Sequence, residues 1–337
     1  MVFPESPLPV QVATAGEALI DLIAGPDGLL RPCAGGAVYN LSRALGWQEI
    51  GTLYLNPLSA DGFGRQLAAG LAEAGVRLAR PEPAHQPTSL AVVGLDAQGK
   101  ASYSFYREGV ADRQVRATQL CADCAAPTTL QAVATGCLAL AAEDRDKYLP
   151  WLRGQRHAGR LVAVDANLRP AVVPDMDAYR ASVMRALAEA HLVKVSDDDL
   201  KVLGFTEPDP LRAGAALLER IPARWLALTL GPQGAVLLVR DGVSVAAVET
   251  EPVPVADTVG AGDCFFGGLL AAMLRLPGVA EASADRLRAS TAELQGVLAH
   301  AVASASLCVM RTGCAPPTLA QVQARLRTAP PRTRALP

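Results

Sequence analysis

The sequence predicts an α/β protein of three layers, in which helices cover both faces of a mostly parallel central sheet and a small β-sheet forms a lid. Short apolar runs of strand length alternate with Ala- and Leu-rich helical stretches, an order typical of buried parallel sheets. A hairpin pattern in the first third interrupts this order. Hydrophobic residues make up 50% of the 337 residues and aromatic residues only 4%, so a large core of small aliphatic side chains is expected.

The first third of the chain contains the predicted lid, from about residues 12–34 and 86–110. Val10–Leu22 is predicted to be a strand that enters the small sheet. Ser89–Leu95 and Ala101–Tyr106 are rich in β-formers and are joined by residues 96–100, a hairpin signature. The two helices predicted between these strands are Ala37–Leu45 and Gly64–Ala74.

The remaining two thirds supply the central sheet. Short apolar runs bounded by turn residues are its predicted strands: Val133–Leu140, Leu161–Val164, His191–Val195, Trp225–Leu230 and Ala235–Val239. An extended segment, Ala246–Val255, precedes a buried helix predicted over Cys264–Leu276. We expect a single domain over residues 1–325 and a disordered basic, Pro-rich tail over 326–337.

Composition excludes several classes of function. The chain has 31 basic and 33 acidic residues and no basic run with interleaved aromatic residues, which argues against a nucleic-acid partner. No apolar run reaches transmembrane length, and residues 1–12 lack the features of a signal peptide. The four His are scattered, and Cys121 and Cys124 form the single CxxC pair, so no metal site is predicted from spacing. We expect the seven cysteines to be reduced, which is typical of a cytoplasmic protein.

The most informative stretch is Asp257–Asp263. Small residues, Gly260–Gly262, form a turn at the start of a predicted helix, where unpaired N–H groups and the helix dipole attract an anion. Asp263 places a carboxylate beside that anion site. Its natural role is to take a proton from a nucleophile that attacks a bound phosphate.

Polar clusters also follow other predicted strands. Ligands of open α/β sheets bind beyond the carboxyl ends of the strands, so these clusters are predicted to line one site. They are Asp165, Asn167 and Arg169; Lys194, Ser196 and Asp199; and Thr229, Gly231 and Gly234.

These motifs resemble those of the ribokinase-like (PfkB) carbohydrate kinases, closest to the fructokinase branch. The resemblance covers nearly all of Gly16–Gly313. It rests on Asp257–Asp263, on Gly35–Asn40 and on Asp61–Gly64, whose order and wide separation make them specific together. The resemblance implies a ribokinase-like α/β/α sandwich.

The resemblance also implies roles. Asp263 resembles the general base, and Gly260, Ala261 and Gly262 resemble the anion hole that stabilises the γ-phosphate. The implied sugar-binding residues are Asp21, Gly35, Gly36, Asn40, Phe105, Arg107, Glu143, Asn167 and Arg169. The implied ATP-binding residues are Lys194, Ser196, Asp199, Thr229, Gly231, Gly234, Thr258, Gly260 and Gly262.

Two metal ions are implied as well. Mg²⁺ accompanies ATP, and backbone carbonyls of Asp257, Val259, Cys308 and Gly313 resemble ligands of a K⁺ ion. Ser196 and Asp199 depart from the Asn and Glu usual in the family, which puts phosphate and magnesium affinity in question.

The expected reaction is phosphorylation of fructose to fructose 6-phosphate by ATP. A 2-keto-3-deoxygluconate kinase is the alternative, because its substrate carboxylate would suit the pair Arg107 and Arg169. A nucleoside kinase ranks third, and a sugar-sensing protein without catalysis is the alternative of another class. A homodimer through the Ser89–Tyr106 region of the lid is expected.

Overall fold

The computed structural model describes residues 8–25, 27–95, 101–173, 175–276 and 288–336. The strands are β1 (Val12–Thr14), β2 (Leu19–Ala24), β3 (Leu30–Gly35), β4 (Thr52–Tyr54), β5 (Arg77–Leu78), β6 (Ser89–Leu95), β7 (Ala101–Tyr106), β8 (Ala132–Gly136), β9 (Leu161–Asp165), β10 (Leu192–Ser196), β11 (Trp225–Thr229), β12 (Ala235–Val239), β13 (Val245–Val248) and β14 (Arg332–Ala335). The helices are α1 (Ala37–Trp47), α2 (Gly62–Glu73), α3 (Ala117–Ala125), α4 (Arg145–His157), α5 (Met176–Leu187), α6 (Asp197–Leu203), α7 (Pro210–Arg220), α8 (Ala261–Leu274), α9 (Thr291–Val309) and α10 (Leu319–Thr328).

The large sheet confirms the predicted fold class. Its ten strands lie in the order β14-β13-β12-β11-β10-β9-β8-β1-β4-β5. The strands from β11 to β5 pair in parallel, whereas β12, β13 and β14 continue the sheet antiparallel. The predicted strand Val133–Leu140 is shorter than expected, because β8 ends at Gly136 and residues Cys137–Leu140 form a 3₁₀ turn.

Alternate residues of the central strands face different helical layers. In β9, Val162 and Val164 pack with residues of α3, α4 and α5, whereas Leu161 and Ala163 pack with α8 and α9. This is the period of two expected for a strand buried on both faces. Because the strands from β11 to β5 run in parallel, their carboxyl ends lie at one edge of the sheet.

The lid is a separate sheet of four strands in the order β3-β2-β6-β7. β2 pairs antiparallel with β3 and parallel with β6, and β6 pairs antiparallel with β7. The predicted first lid strand, Val10–Leu22, was wrong in extent: residues 12–14 belong to the large sheet, and the lid begins at Leu19. Residues 15–18 redirect the chain between the sheets. The predicted turn at 96–100 lies outside the described residues.

The Asp61–Gly64 motif ties α2 to the lid. The Asp61 carboxylate caps α2 by accepting from the Gly64 N–H at 2.7 Å, and it also accepts from the Thr88 N–H at 2.8 Å, just before β6. One carboxylate therefore satisfies donors of two elements at once.

The C-terminal tail is ordered as far as the structure describes it, contrary to the expected disorder of 326–337. Arg332–Ala335 pair antiparallel with β13, and α10 extends to Thr328. Strand pairing uses backbone N–H and C=O groups, which every residue except proline offers in full. A basic, exposed segment can therefore add a strand to a sheet edge even though its composition suggests disorder.

Helix α9 is the one described helix long and apolar enough to meet the length and composition criteria of a membrane span. Most of that stretch is buried inside the protein, as in a core helix. Leu294, Leu298 and Ala301 pack in the same cluster as Leu269 and Leu270 of α8.

Candidate active site

A cluster of polar side chains forms where the parallel strands end and α1 and α8 begin. We call Asn40, Asp165, Lys194, Gly260–Gly262 and Asp263 the transfer site. Asn40 lies on α1, Asp165 ends β9, Lys194 lies in β10, and Asp263 lies in the first turn of α8. The structure thus brings together residues that the sequence separates widely.

Asp263 is buried at the start of α8. Its Oδ2 accepts a hydrogen bond from Nδ2 of Asn40 at 2.8 Å. Burial raises the pKa of Asp263, and the hydrogen bond from Asn40 and the charges of Lys194 and Arg169 oppose that rise. A carboxylate with a raised pKa and few partners is suited to accept a proton.

The turn before Asp263 leaves N–H groups available. Gly260 caps α8 in the left-handed conformation with φ 76°, and a Cβ added there would lie 2.2 Å from Sγ of Cys314. The Ala261 N–H is directed at the Thr258 carbonyl at 3.3 Å. In the described part of the chain, the N–H groups of Gly262 and Asp263 have no hydrogen-bond acceptor. The donors at the helix start are therefore Gly262 and Asp263, with Ala261 partly engaged.

Lys194 and Asp165 form a buried ion pair beside this turn. Their Nζ and Oδ1 atoms are 3.1 Å apart. Burial raises the pKa of Asp165 to about 7 despite the Lys194 charge. Lys194 also approaches the turn closely, since a Cβ added at Gly262 would lie 3.2 Å from Nζ. The ammonium is thus placed to interact with an anion at the helix start.

The segment after β9 is held by Asp199. One Asp199 oxygen accepts from the Leu168 N–H at 2.7 Å, and the other accepts from the Ser196 N–H at 2.8 Å in a capping box of α6. Asn167 is buried with φ 38°, and Arg169 is solvent-exposed. Asp199, predicted to contact the nucleotide, therefore has both oxygens engaged with backbone N–H groups, one of them on the residue between Asn167 and Arg169.

Asp21 and the paired glycines lie between the lid and the transfer site. A Cβ added at Gly35 would lie 2.2 Å from an Asp21 oxygen, and Gly36 caps α1 with φ 103°. Burial raises the pKa of Asp21 to about 6, the Arg169 charge lowers it, and the Asp263 charge raises it further. Asp21, Arg169 and Asp263 therefore share one electrostatic environment.

A second polar cluster, which we call the lid base, consists of Glu17, Arg107, Asp112 and Asp144. Arg107, at the end of β7, is buried with its Nη2 3.7 Å from Oδ2 of Asp144. Oδ1 of Asp144 accepts from Arg113 at 3.0 Å and lies 2.8 Å from Nζ of Lys147. Three cations therefore surround this one buried carboxylate.

Glu17 is a buried carboxyl of the lid base that is only partly hydrogen-bonded. Its Oε1 accepts from the Ala37 N–H at 2.9 Å, and its Oε2 is buried without a hydrogen-bond donor among the described residues. Burial raises the pKa of Glu17 to about 7, and the nearby Arg107 charge lowers it.

Sequence reasoning missed Glu17 and Asp144. Glu143, predicted to face the sugar, is exposed, whereas the 3₁₀ turn directs its neighbour Asp144 inward. Phe105 is half-buried and packs with Leu19 and Leu138 under the lid. The sequence feature that could have identified Glu17 is its position directly after Gly16 and just before the strand that carries Asp21.

The predicted nucleotide loop follows β11 at the same sheet edge. Thr229 is half-buried, Gly231 has φ 55°, and Thr258 is exposed. At Gly234 an added Cβ would lie 2.1 Å from the Ala247 carbonyl oxygen. Gly234 therefore allows close packing of the loop on β13, while Gly231 is exposed with open space at its Cβ position.

The four residues whose main-chain carbonyls form the predicted K⁺ site lie on two segments that the fold brings together. The Asp257 carboxylate accepts from the Gly313 N–H at 2.8 Å, and Sγ of Cys308 lies 3.6 Å from the Val259 oxygen. Main-chain oxygens suit a hard cation, although the Cys308 oxygen already accepts from Arg311 at 3.0 Å.

Comparison with known proteins gives a consistent result. Residues 11–321 match the model of the pfkB family carbohydrate kinases. The chain is 32% identical over 270 residues to a fructokinase of Rhizobium leguminosarum bv. trifolii, covering 78% of this chain and 79% of that enzyme. It is 33% identical over 271 residues to a fructokinase of Vibrio alginolyticus, covering 79% and 84%.

Solved structures agree on the fold. A fructokinase from Xylella fastidiosa with bound ATP matches with a TM-score of 0.75 and 25% identity, covering 94% of this chain and 98% of that one. An aminoimidazole riboside kinase from Salmonella enterica matches with a TM-score of 0.76 and 24% identity, covering 94% and 99%.

Proposed function

The chain belongs to the pfkB family of carbohydrate kinases and is an ATP-dependent sugar kinase; we propose that its acceptor is fructose and its product fructose 6-phosphate. The observation that carries the proposed chemistry is the position of Asp263. Its buried carboxylate lies in the first turn of α8, where the N–H groups of Gly262 and Asp263 are available to an anion. Lys194 lies beside this turn.

The proposed mechanism is direct in-line phosphoryl transfer. The γ-phosphate of ATP lies against the N–H groups of Gly262 and Asp263 and near Lys194, which stabilise its charge in the transition state. Asp263 takes the proton of the sugar's primary hydroxyl as the oxygen attacks phosphorus. Asn40 holds the base in place through its hydrogen bond to Oδ2.

The sugar is proposed to lie between the transfer site and the lid. Asp21, whose carboxylate lies against Gly35, accepts from sugar hydroxyls. Gly36, whose missing Cβ lets it pack on the Glu17 carbonyl, is proposed to lie beside the sugar. Asn167 and Arg169, positioned by Asp199, close the other side. Phe105 and Arg107 line the lid side, and Glu143, which is exposed, has no proposed contact with the sugar.

The lid base supports a neutral acceptor over 2-keto-3-deoxygluconate. That substrate carries a carboxylate, which would require an uncompensated cation. Arg107 is already paired with Asp144, and the charges of Glu17 and Asp112 lie near it. A substrate carboxylate beside Arg107 would meet these acids, whereas fructose presents hydroxyl groups alone.

The solved structures of relatives also support ATP as the phosphoryl donor and a metal ion as cofactor. The ATP-bound Xylella fastidiosa enzyme and a Vibrio cholerae fructokinase with fructose, ADP and calcium have the same fold. We propose that Mg²⁺ binds with ATP near Asp165, where it would neutralise phosphate charge. Thr229, Gly231 and Thr258 are proposed to contact the nucleotide, while Ser196 acts through the α6 cap. K⁺ is proposed at the carbonyls of 257, 259, 308 and 313.

A homodimer through the lid is the proposed assembly. The lid exposes large apolar side chains, among them Leu29 at 63%, Leu30 at 49% and Tyr106 at 61%. Such a patch is typical of an association surface. Sedimentation at micromolar concentration tests this, and a monomer there contradicts it. The proposed location is the cytoplasm.

A coupled assay of ADP release across fructose, 2-keto-3-deoxygluconate, ribose and adenosine tests the proposed function. We expect the highest kcat/KM with fructose. Preference for 2-keto-3-deoxygluconate would overturn the acceptor and retain the chemistry. Sugar binding without turnover of any acceptor would indicate the sensing protein instead.

A further inference from the structure

Three cysteines that are distant in sequence meet beside the transfer site. Cys264 lies in the first turn of α8, Cys308 near the end of α9, and Cys314 in the segment that follows. Their Sγ atoms all lie within 4.8 Å of one another. We call these residues the thiol cluster. Cys264 and Cys308 are buried and Cys314 is half-buried.

We propose that the thiol cluster is a binding site for a thiophilic d¹⁰ metal ion, Cu⁺ or Zn²⁺. Metal–sulfur bonds of about 2.3 Å place three sulfurs around one ion about 4 Å apart, so the cluster needs to contract by less than about 1 Å. A disulfide needs a much shorter sulfur–sulfur distance of about 2 Å. The observed spacing is therefore closer to a metal site than to a disulfide.

Metal ions bind cysteine as the thiolate, so positive charge near the cluster assists binding. Cys264 lies at the N-terminal end of α8, where the helix dipole stabilises negative charge. The Arg43 guanidinium donates to the Cys314 carbonyl at 3.3 Å, which brings a positive charge to the other side of the cluster. Cu⁺ is satisfied by three sulfurs, whereas Zn²⁺ takes a fourth ligand. The Val259 carbonyl, 3.6 Å from Sγ of Cys308, is an oxygen within reach.

This site differs in chemistry from the proposed K⁺ site. K⁺ takes hard oxygen ligands from the backbone, and the thiol cluster offers soft sulfur ligands from side chains. Both sites use Cys308, K⁺ through its carbonyl and the soft ion through its thiol. Zn²⁺ would in addition compete with K⁺ for the Val259 carbonyl, whereas Cu⁺ would not.

Occupation of the thiol cluster would act on the phosphate turn. The Cys314 sulfur lies against the backbone of Gly260, where an added Cβ would be 2.2 Å from it. Cys264 follows Asp263 directly in the chain. A metal ion that draws both sulfurs inward shifts the turn and its base together, so metal binding is expected to inhibit turnover.

The test is metal binding to the full-length protein, freed of metal and kept reduced with a non-thiol phosphine. Zn²⁺ and Cu⁺ are each titrated in competition with a chromophoric chelator, and Cd²⁺ is used as an ultraviolet probe of sulfur ligation. We expect one equivalent of tight binding and sulfur-to-Cd²⁺ charge-transfer absorption. The intensity of the Cd²⁺ charge-transfer band reports how many sulfurs ligate the ion, and three are expected.

Two variants locate the site. Cys314→Ala removes one sulfur from a half-buried position and is expected to weaken binding at least tenfold. Cys121→Ala is the matched control, because Cys121 is also half-buried but lies in the CxxC pair on α3. Equal binding by Cys314→Ala and the parent, or loss of binding in Cys121→Ala, overturns the proposal, as does absence of stoichiometric binding.

The inhibition arm rests on the proposed function, and the binding arm does not. One equivalent of the bound metal is expected to lower turnover of the parent and to leave Cys314→Ala unaffected. Binding without inhibition would retain the metal site and exclude control of the turn. An inactive enzyme that binds metal would count against the proposed function alone.

Discussion

The transfer site and the lid base are both buried polar clusters, but they use their charges differently. In the transfer site, Asp263 has one hydrogen-bond donor, Asn40, and N–H groups of the adjoining turn have no acceptor among the described residues. In the lid base, Asp144 is surrounded by Arg107, Arg113 and Lys147. Asp263 therefore retains capacity for a ligand, whereas the charge of Asp144 is compensated within the protein.

This difference distinguishes a residue that takes part in the reaction from a residue that stabilises the fold. Groups that must act on a substrate are held with partners missing, which destabilises the fold locally. Asp144, which joins the end of the lid hairpin to the body of the protein, is instead compensated by three cations. Substitution of Asp263 should therefore change turnover more than stability, and substitution of Asp144 should do the reverse.

The largest effect is expected from Asp263→Asn. The amide keeps the shape and can accept from Asn40, but it cannot take a proton. We expect kcat to fall by about 10²- to 10⁴-fold while calorimetry shows ATP and fructose binding near normal. Asp198→Asn, an exposed acid on α6, is the control and should leave kcat unchanged. Near-normal turnover of Asp263→Asn would remove the base from the mechanism.

The next effect concerns the buried pair of Lys194 and Asp165. Lys194→Met leaves Asp165 buried without its cation, and we expect a loss of about 3–5 kcal/mol in the free energy of unfolding, measured with urea. Adding Asp165→Asn should restore most of that stability and none of the turnover. Recovery of turnover in the double variant would show that the pair serves the fold alone.

Glu17→Gln tests a buried acid of the lid base that has one oxygen without a hydrogen-bond donor among the described residues. The pKa of Glu17 is raised from 4.5 to about 7, so the fold prefers the protonated form. That preference stabilises the protein fully below the unfolded pKa, and the contribution is lost as the pH rises through about 7. At about pH 8 Glu17→Gln should therefore be more stable than the parent, by up to about 3 kcal/mol.

The control for that prediction is the exposed Glu219→Gln, whose stability relative to the parent should not depend on pH. Equal stability of Glu17→Gln and the parent at high and low pH would contradict a raised pKa at Glu17.

A smaller effect is expected from Asn40→Ala. Its hydrogen bond lowers the pKa of Asp263, so its loss should raise that pKa further. The acid limb of the pH profile of kcat/KM should move to higher pH, by about one unit or less. A lower plateau with an unmoved acid limb would mean that Asn40 positions substrate without affecting the base.

Local motifs allowed much of the transfer site to be predicted from sequence. Gly260–Gly262 and Asp263 are adjacent in the chain, and strand-to-turn patterns placed Asp165 and Lys194 at one sheet edge. These features depend on local sequence and on the general topology of parallel sheets, both of which periodicity reveals.

Glu17 and Asp144 of the lid base, and the thiol cluster, could not be predicted in this way. Asp144 and Glu143 are neighbours in a 3₁₀ turn, and only the packing of that turn decides which faces inward. The strand Arg332–Ala335 depends on a distant sheet edge, and the thiol cluster on how α8 and α9 meet. Such features arise from tertiary contacts that sequence spacing does not record.

The most direct test of the difference between the clusters is urea unfolding of Asp263→Asn beside Asp144→Asn at about pH 7.5. Asp263→Asn neutralises a buried carboxylate whose pKa the fold raises, so it should be at least as stable as the parent. Asp144→Asn removes the acceptor of three cations and should lose about 2–4 kcal/mol. A destabilised Asp263→Asn together with an unchanged Asp144→Asn would contradict the account.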